Sequence, residues 1–236
     1  KGNTEITIRD NAGVHSIYAG GKAGTVGGTG TITVCGGTFT AGSVIDGANV
    51  AGGTTLNLEN AASVTEVTFR NLALVNVKQD MAYSLNRFVN VAEISISAGK
   101  TLTLDAANTD VTLGSDVTGD GKFAVNARDF YANGKSVTLS DSTITGKVTG
   151  ATYTTPGGKD FTSTDLTLNN AAVTGDVYGG SYYTDHVGSA KVTINGGTYN
   201  GRVYGGSITD YYYDEITVDH AETVITAGTF AKEVYG

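Results

Sequence analysis

The sequence predicts an all-β protein, a right-handed parallel β-helix (β-solenoid) of roughly nine rungs. Three observations predict it. A short sentence of two alternating strands and two Gly-Gly turns, clearest as KVTINGGTYNGRVYGGS from Lys191 to Ser207, recurs along the chain. Apolar anchors in successive copies keep a constant separation. Glycine is abundant, at 34 of 236 residues, while proline occurs once.

The anchors define the repeat. Ile194 closes the first strand of the best copy and Val203 opens the second, nine residues later. The same interval joins Ile8 to Ile17, Leu58 to Val67, Leu139 to Val148, Leu168 to Val177 and Ile225 to Val234; Val34 to Val44 is one longer. Successive copies near the C-terminus stand 29, 26 and 31 residues apart, within the range of about 20–50 that marks stacked repeat architectures. Two strands of four or five residues cannot bury an apolar face alone, whereas stacked copies form a continuous interior. Alternation sends Val192 and Ile194 inward and Lys191 and Thr193 outward. The Gly-Gly pairs are expected where positive φ is needed and a side chain would strike the neighbouring rung.

Composition narrows the function. The net charge is −8 and only 16% of residues are charged, so the footprint for nucleic acid and for an anionic membrane is missing. No apolar run is long enough for a membrane span. The single Cys35 cannot form an internal disulfide and is expected to be a small buried thiol rather than a nucleophile.

Taken in order, residues 1–50 carry two rungs, with GGKAGTVGGTG as the outer loop of the first. Residues 51–77 hold three short apolar alternations. Residues 78–90 are the one place with helical spacing, through Met81, Leu85 and Phe88; the competing expectation is a longer strand with Phe88 and Val89 inward. Residues 91–139 return to the strand rhythm. Here EISISAGKTLTLD, followed by VTGDGKFAV, resembles the rungs of bacterial autotransporter passengers and related surface adhesins, and GGTYNGRVYGG resembles short repeats of large bacterial surface proteins. The resemblance is one of rung grammar over nearly the whole chain. It implies a passenger segment at the bacterial cell surface or secreted, without a membrane barrel of its own. Residues 140–236 contain the most regular rungs and most of the 13 tyrosines. The whole of 1–236 is expected to be one β-solenoid domain, a portion of a longer surface protein.

Candidate sites follow from residue chemistry. Tyr182, Tyr183, Tyr211, Tyr212 and Tyr213 sit in two loops after the second corner of their rungs, a candidate face for a host or cell-surface glycan or protein, because tyrosine pairs a flat apolar ring with a polar tip. An aromatic ladder that only shields the backbone is the competing expectation. The column Tyr18, Tyr178, Tyr204, Tyr235 is locked to the rung and is expected to stack structurally. Asp185–His186 and Asp219–His220, with Asp210, Asp214 and Glu215, are the nearest approach to a Ca²⁺ site, but no spaced ligand motif is present and no cofactor is expected. For catalysis the arginines are scattered, and the position of Arg202 holds Lys147, Asp176 or Glu233 in other copies, a solvent-facing filler. Thr-x-Thr triplets at 31–33, 101–103 and 143–145 fall at different rung positions, which sets ice binding aside. The expected function is a non-catalytic stalk or adhesive module. A carbohydrate-binding or polysaccharide-cleaving β-helix is the alternative. The apolar anchors of the last copy, without a polar cap, also suggest head-to-tail self-association.

Overall fold

The computed structural model describes residues 2–60, 64, 66–84, 87–152, 159–182, 186–208 and 218–236. Regular structure among them is nearly all strand, and the strands pair in parallel. The chain divides into two compact units, residues 1–104 with 114–122, and residues 105–113 with 123–236.

In the first unit the strands Thr4–Ile8, Gly30–Val34 and Thr54–Leu58 align side by side, followed by the C-terminal halves of Thr68–Val77 and Phe88–Ile96. Their register places Ile8 beside Val34, Val34 beside Leu58, Leu58 beside Val77 and Val77 beside Ile96. The first-strand anchors of the repeat are therefore true structural equivalents. The second anchors need correction. Ile17 pairs with Ile45, Ile45 with Phe69 and Phe69 with Phe88, not with Val44 or Val67. The cause lies in the connecting turns. Ser43 N–H and its hydroxyl both bond the Thr40 carbonyl, and Val67 N–H bonds the Val64 carbonyl. Each turn adds residues before the second strand, and Val67 is buried within its turn, so it passes for an anchor by hydropathy alone.

The ten-residue strand Thr68–Val77 serves two lines of pairing because it bends at Asn71, whose φ is 53°. Phe88–Ile96 bends in the same way at Asn90, φ 55°. Asparagine tolerates this left-handed conformation better than most residues. The amides then ladder, Asn90 Nδ2 donating to Asn71 Oδ1 at 2.9 Å and Asn71 Nδ2 to Asp46 Oδ1 at 2.9 Å. Within residues 78–90 the helical feature among the described positions is a 3₁₀ turn at Arg87, whose N–H bonds the Ser84 carbonyl at 3.1 Å. Met81 and Tyr83 point inward and Ala82 outward in the strand Met81–Tyr83, a period of two that excludes the helical stripe. Val89 is 47% exposed, contrary to the inward expectation, and Leu85 lies outside the described residues. Phe69, Tyr83 and Phe88 form a ring cluster with centroids 5.3–5.5 Å apart.

The second unit follows the predicted alignment throughout. Leu139, Leu168, Ile194 and Ile225 pair in sequence, and so do Val148, Val177, Val203 and Val234. Between these columns runs a third, Ile144, Val173, Tyr199 and Phe230. Val192 and Ile194 are fully buried, with Lys191 and Thr193 half-buried on the other face. The outermost strand, Val218–Phe230, pairs only on its Ile194 side among the described residues, leaving Ile225 40% exposed.

The two Gly-Gly turns do different work. Gly196 and Gly197 have φ of 96° and 101°, where a side chain is strained. The glycines of the second turn do not have positive φ, contrary to expectation. Gly150 and Gly179 are glycine because a Cβ would penetrate the carbonyl oxygen of the equivalent glycine in the next strand. Thr164 reinforces this corner from inside, its hydroxyl donating to the Gly179 carbonyl at 2.6 Å.

Two carboxylates, Asp46 buried and Asp129 half-buried, tie neighbouring strands. Asp46 accepts from Ala48 N–H, Asn71 and Arg70; Asp129 accepts from Lys147 N–H, Lys147 Nζ and Tyr131. Burial opposes ionisation in both, but these donors outweigh it and hold both below the usual carboxylate range. Their contribution to stability is thus present above the unfolded value of about 3.9 and lost as pH falls through the lower folded values. Melting temperature should be insensitive to these groups above about pH 5 and fall below about pH 4. Asp46→Asn should lower it at pH 7 and flatten the acid limb; an unchanged acid limb would place the sensitive groups elsewhere.

Candidate binding face

The tyrosine column is built by the phrase V-Y-G-G. The two-residue strands Val177–Tyr178, Val203–Tyr204 and Val234–Tyr235 pair in register, so their side chains repeat at the strand spacing of about 4.8 Å. Tyr178 and Tyr204 stack at 5.2 Å and 3°, Tyr204 and Tyr235 at 5.0 Å and 7°. Tyr178 is buried and Tyr235 is 46% exposed. Burial, with the negative charge of Asp176 beside it, pushes the Tyr178 phenol far up, so it stays protonated and donates to Asp176 Oδ2 at 3.0 Å. Tyr18 does not belong to this column. It pairs in register with Asp46 and is 57% exposed.

Of the five predicted loop tyrosines, Tyr182 is described, while Tyr183, Tyr211, Tyr212 and Tyr213 lie outside the described residues, as do Asp185, Asp210, Asp214 and Glu215. Tyr182 leans on Tyr178 at 5.1 Å and 46°, with Lys147 Nζ 4.9 Å above its ring centroid. Its ring extends the column sideways. Tyr182→Ser is therefore expected to cost about 1 kcal/mol, more than a free loop substitution, measured by denaturant midpoint; no change would mean the ring packs against nothing that matters.

The position before each second anchor is also a correction. It is not filler. Asp129, Lys147, Asp176, Arg202 and Glu233 alternate in sign from strand to strand. Lys147 meets Asp129 at 2.9 Å, Arg202 N–H bonds Asp176 at 2.6 Å, and Arg202 Nε meets Glu233 at 3.0 Å. Lys147 and Arg202 are thus paired with carboxylates of neighbouring copies, while Asp176 accepts from a backbone N–H and the Tyr178 hydroxyl, a pattern no single copy reveals. Further pairs join neighbouring strands at Glu59–Lys78, Asp110–Arg128 and Lys191–Glu222.

In the first unit, Tyr18 lines an open cavity of 680 Å³ with Lys22, Asp46, Ala48 and Asn49 around the Gly20–Gly21 corner. Gly20 lets the two corners meet backbone to backbone, since a Cβ there would strike the Ala48 carbonyl. Asn49, at φ 60°, donates to the Gly21 carbonyl at 3.3 Å. The sequence hides this site, because Tyr18 follows its anchor just as Tyr178 and Tyr204 follow theirs.

Cys35 is half-buried, not buried. Its thiol lies 3.4 Å from Glu59 Oε2, and desolvation with the neighbouring carboxylate raises its pKa. Alkylation by iodoacetamide at pH 8 should run slower than for a free thiol and accelerate in Glu59→Gln; equal rates would dismiss the Glu59 contact. His186 stands between the carboxylates of Asp160, at 3.8 Å, and Asp219, at 3.5 Å. Among the described residues no three His, Cys, Asp or Glu side chains converge in a metal-holding group, and no helix is long and apolar enough to cross a membrane.

By fold and surface the chain is a parallel all-β repeat whose charges and aromatics are arranged in columns. Comparison with protein-family models, curated proteins and solved structures finds no match to it.

Proposed function

We propose that the chain is a right-handed parallel β-helix of roughly nine rungs that serves as a non-catalytic stalk or adhesive module of a bacterial surface or secreted protein. The observation that carries this reading is the use of charge. Asp129, Lys147, Arg202 and Glu233 are engaged with partners on adjacent strands, and Asp46 with Arg70, as a load-resisting scaffold would use them. A hydrolytic site instead needs carboxylates facing a shared reacting centre. The exposed rings of Tyr18 and Tyr235 suit adhesion to a glycan or protein. The test exposes the purified chain, with calcium, to a polysaccharide panel, measuring retention and product release together. Retention without products is expected. Turnover that disappears on single Asp→Asn changes would overturn the non-catalytic reading.

Head-to-tail self-association is a companion reading, supported by Ile225, Val234 and Tyr235 being 39–46% exposed on the edge strands of two sheets. Such edges recruit strands. Sedimentation should then give a mass that rises with concentration and falls for Ile225→Lys; a concentration-independent monomer would refute it.

A further inference from the structure

We propose that the cavity beside Tyr18 binds an anionic saccharide, a pyranose bearing a carboxylate. This deepens the adhesive reading and rests on it. The cavity of 680 Å³ lies within the range of about 300–1,000 Å³ typical of small-ligand sites. Three side chains around it have binding capacity to spare among the described residues.

Tyr18 is the first. Its ring is 57% exposed and meets no other described aromatic, unlike the stacked rings of Tyr178, Tyr204 and Tyr235. A free aromatic face is the surface on which the C–H face of a pyranose lies, with the phenol able to bond a ring hydroxyl. Lys22 is the second. Lys78, Lys147 and Lys191 each meet a carboxylate on an adjacent strand, but Lys22 makes no ion pair among the described residues. The nearest acid in the cavity does not neutralise it. Asp46 is turned to Arg70 Nε at 2.7 Å, with Asn71 and Ala48 N–H on its other oxygen at 2.9 Å. Asn49 is the third. Its Nδ2 is occupied by the Gly21 carbonyl, which holds the amide in place and leaves Oδ1 to accept from a hydroxyl.

These groups select the ligand. Ring face, hydroxyl acceptor and ammonium together match a sugar carboxylate, the ammonium forming a charge-assisted bond. A neutral sugar would leave Lys22 idle. In a chain of net charge −8, an anion gains nothing from the general field, so attraction must be local to this cation.

The test titrates the full chain, by calorimetry and amide chemical shifts, with a hyaluronan tetrasaccharide and with neutral chitotetraose. The expected result is binding of the hyaluronan fragment, weakened at least tenfold by Tyr18→Ala and by Lys22→Gln, and weakened by added salt. Chitotetraose should bind at least tenfold more weakly and be indifferent to Lys22→Gln. Both positions are surface residues, and unchanged melting of the variants verifies their folding. Equal affinity for the two sugars, or no binding of hyaluronan at millimolar concentration, would overturn the proposal. So would binding abolished by Tyr182→Ala but untouched by Tyr18→Ala, although that result would leave the adhesive reading intact. Cleavage of the tetrasaccharide with binding still dependent on Tyr18 and Lys22 would uphold this site and sink the non-catalytic reading instead.

Discussion

Phe69→Ala is expected to lower stability by about 3–5 kcal/mol, the range for removing a fully buried aromatic from a packed core. Phe69 has no exposed surface. It touches both Tyr83, edge to face at 5.3 Å, and Phe88 at 5.3 Å. It is also an anchor, set between Ile45 and Phe88 by register. Truncation would empty the centre of a three-ring cluster whose remaining members are held by their own strands and cannot close the gap. Phe69→Leu, which refills part of the volume, should recover more than half. Denaturant unfolding checks this, because a shift in midpoint at constant slope isolates stability. A loss under about 1 kcal/mol would mean that the cluster collapses freely and that Val67, not Phe69, is the structural anchor.

Tyr178→Ser should cost about 3–4 kcal/mol, and the graded response of its column is the sharper observation. Tyr178 is buried against Tyr204 on one face and Tyr182 at its side. Its hydroxyl serves Asp176. Tyr178→Phe keeps the stack and removes one hydrogen bond, so it should cost only about 0.5–1.5 kcal/mol. Tyr235→Ser, at a half-exposed ring stacked on one side, should cost about 1 kcal/mol. The order Tyr178→Ser, then Tyr178→Phe and Tyr235→Ser together well below it, can be read from melting curves under one buffer. Equal losses at Tyr178 and Tyr235 would refute the ladder as the source of stability.

Much of the second unit was legible because its information is local and repeated. The nine-residue interval survives in every copy from Leu139 onward and the V-Y-G phrase in the last three, and the register obeys them. The first unit was less legible. Its second anchors, Ile45 and Phe69, stand eleven residues after Val34 and Leu58, since turns around Thr40–Ser43 and Val64–Val67 absorb extra chain. Val67 is buried as deeply as Phe69, and hydropathy cannot choose between two inward residues.

The sequence by itself determined that this protein is built from parallel strands with alternating inward residues, and which first-strand anchors lie side by side. A period of two within each strand and a recurring interval between strands suffice for that, because burial of alternate residues is decided by the chain's own pleat. Only the tertiary structure decided what the polar positions do. Whether Asp129 and Lys147, or Arg202 and Glu233, are solvated or paired depends on partners 18 and 31 residues away, brought within 3 Å by strand pairing. The isolation of Tyr18 has the same origin. The residue after its anchor matches Tyr178 and Tyr204 letter for letter, but the strand beside it presents Asp46 where theirs present tyrosine.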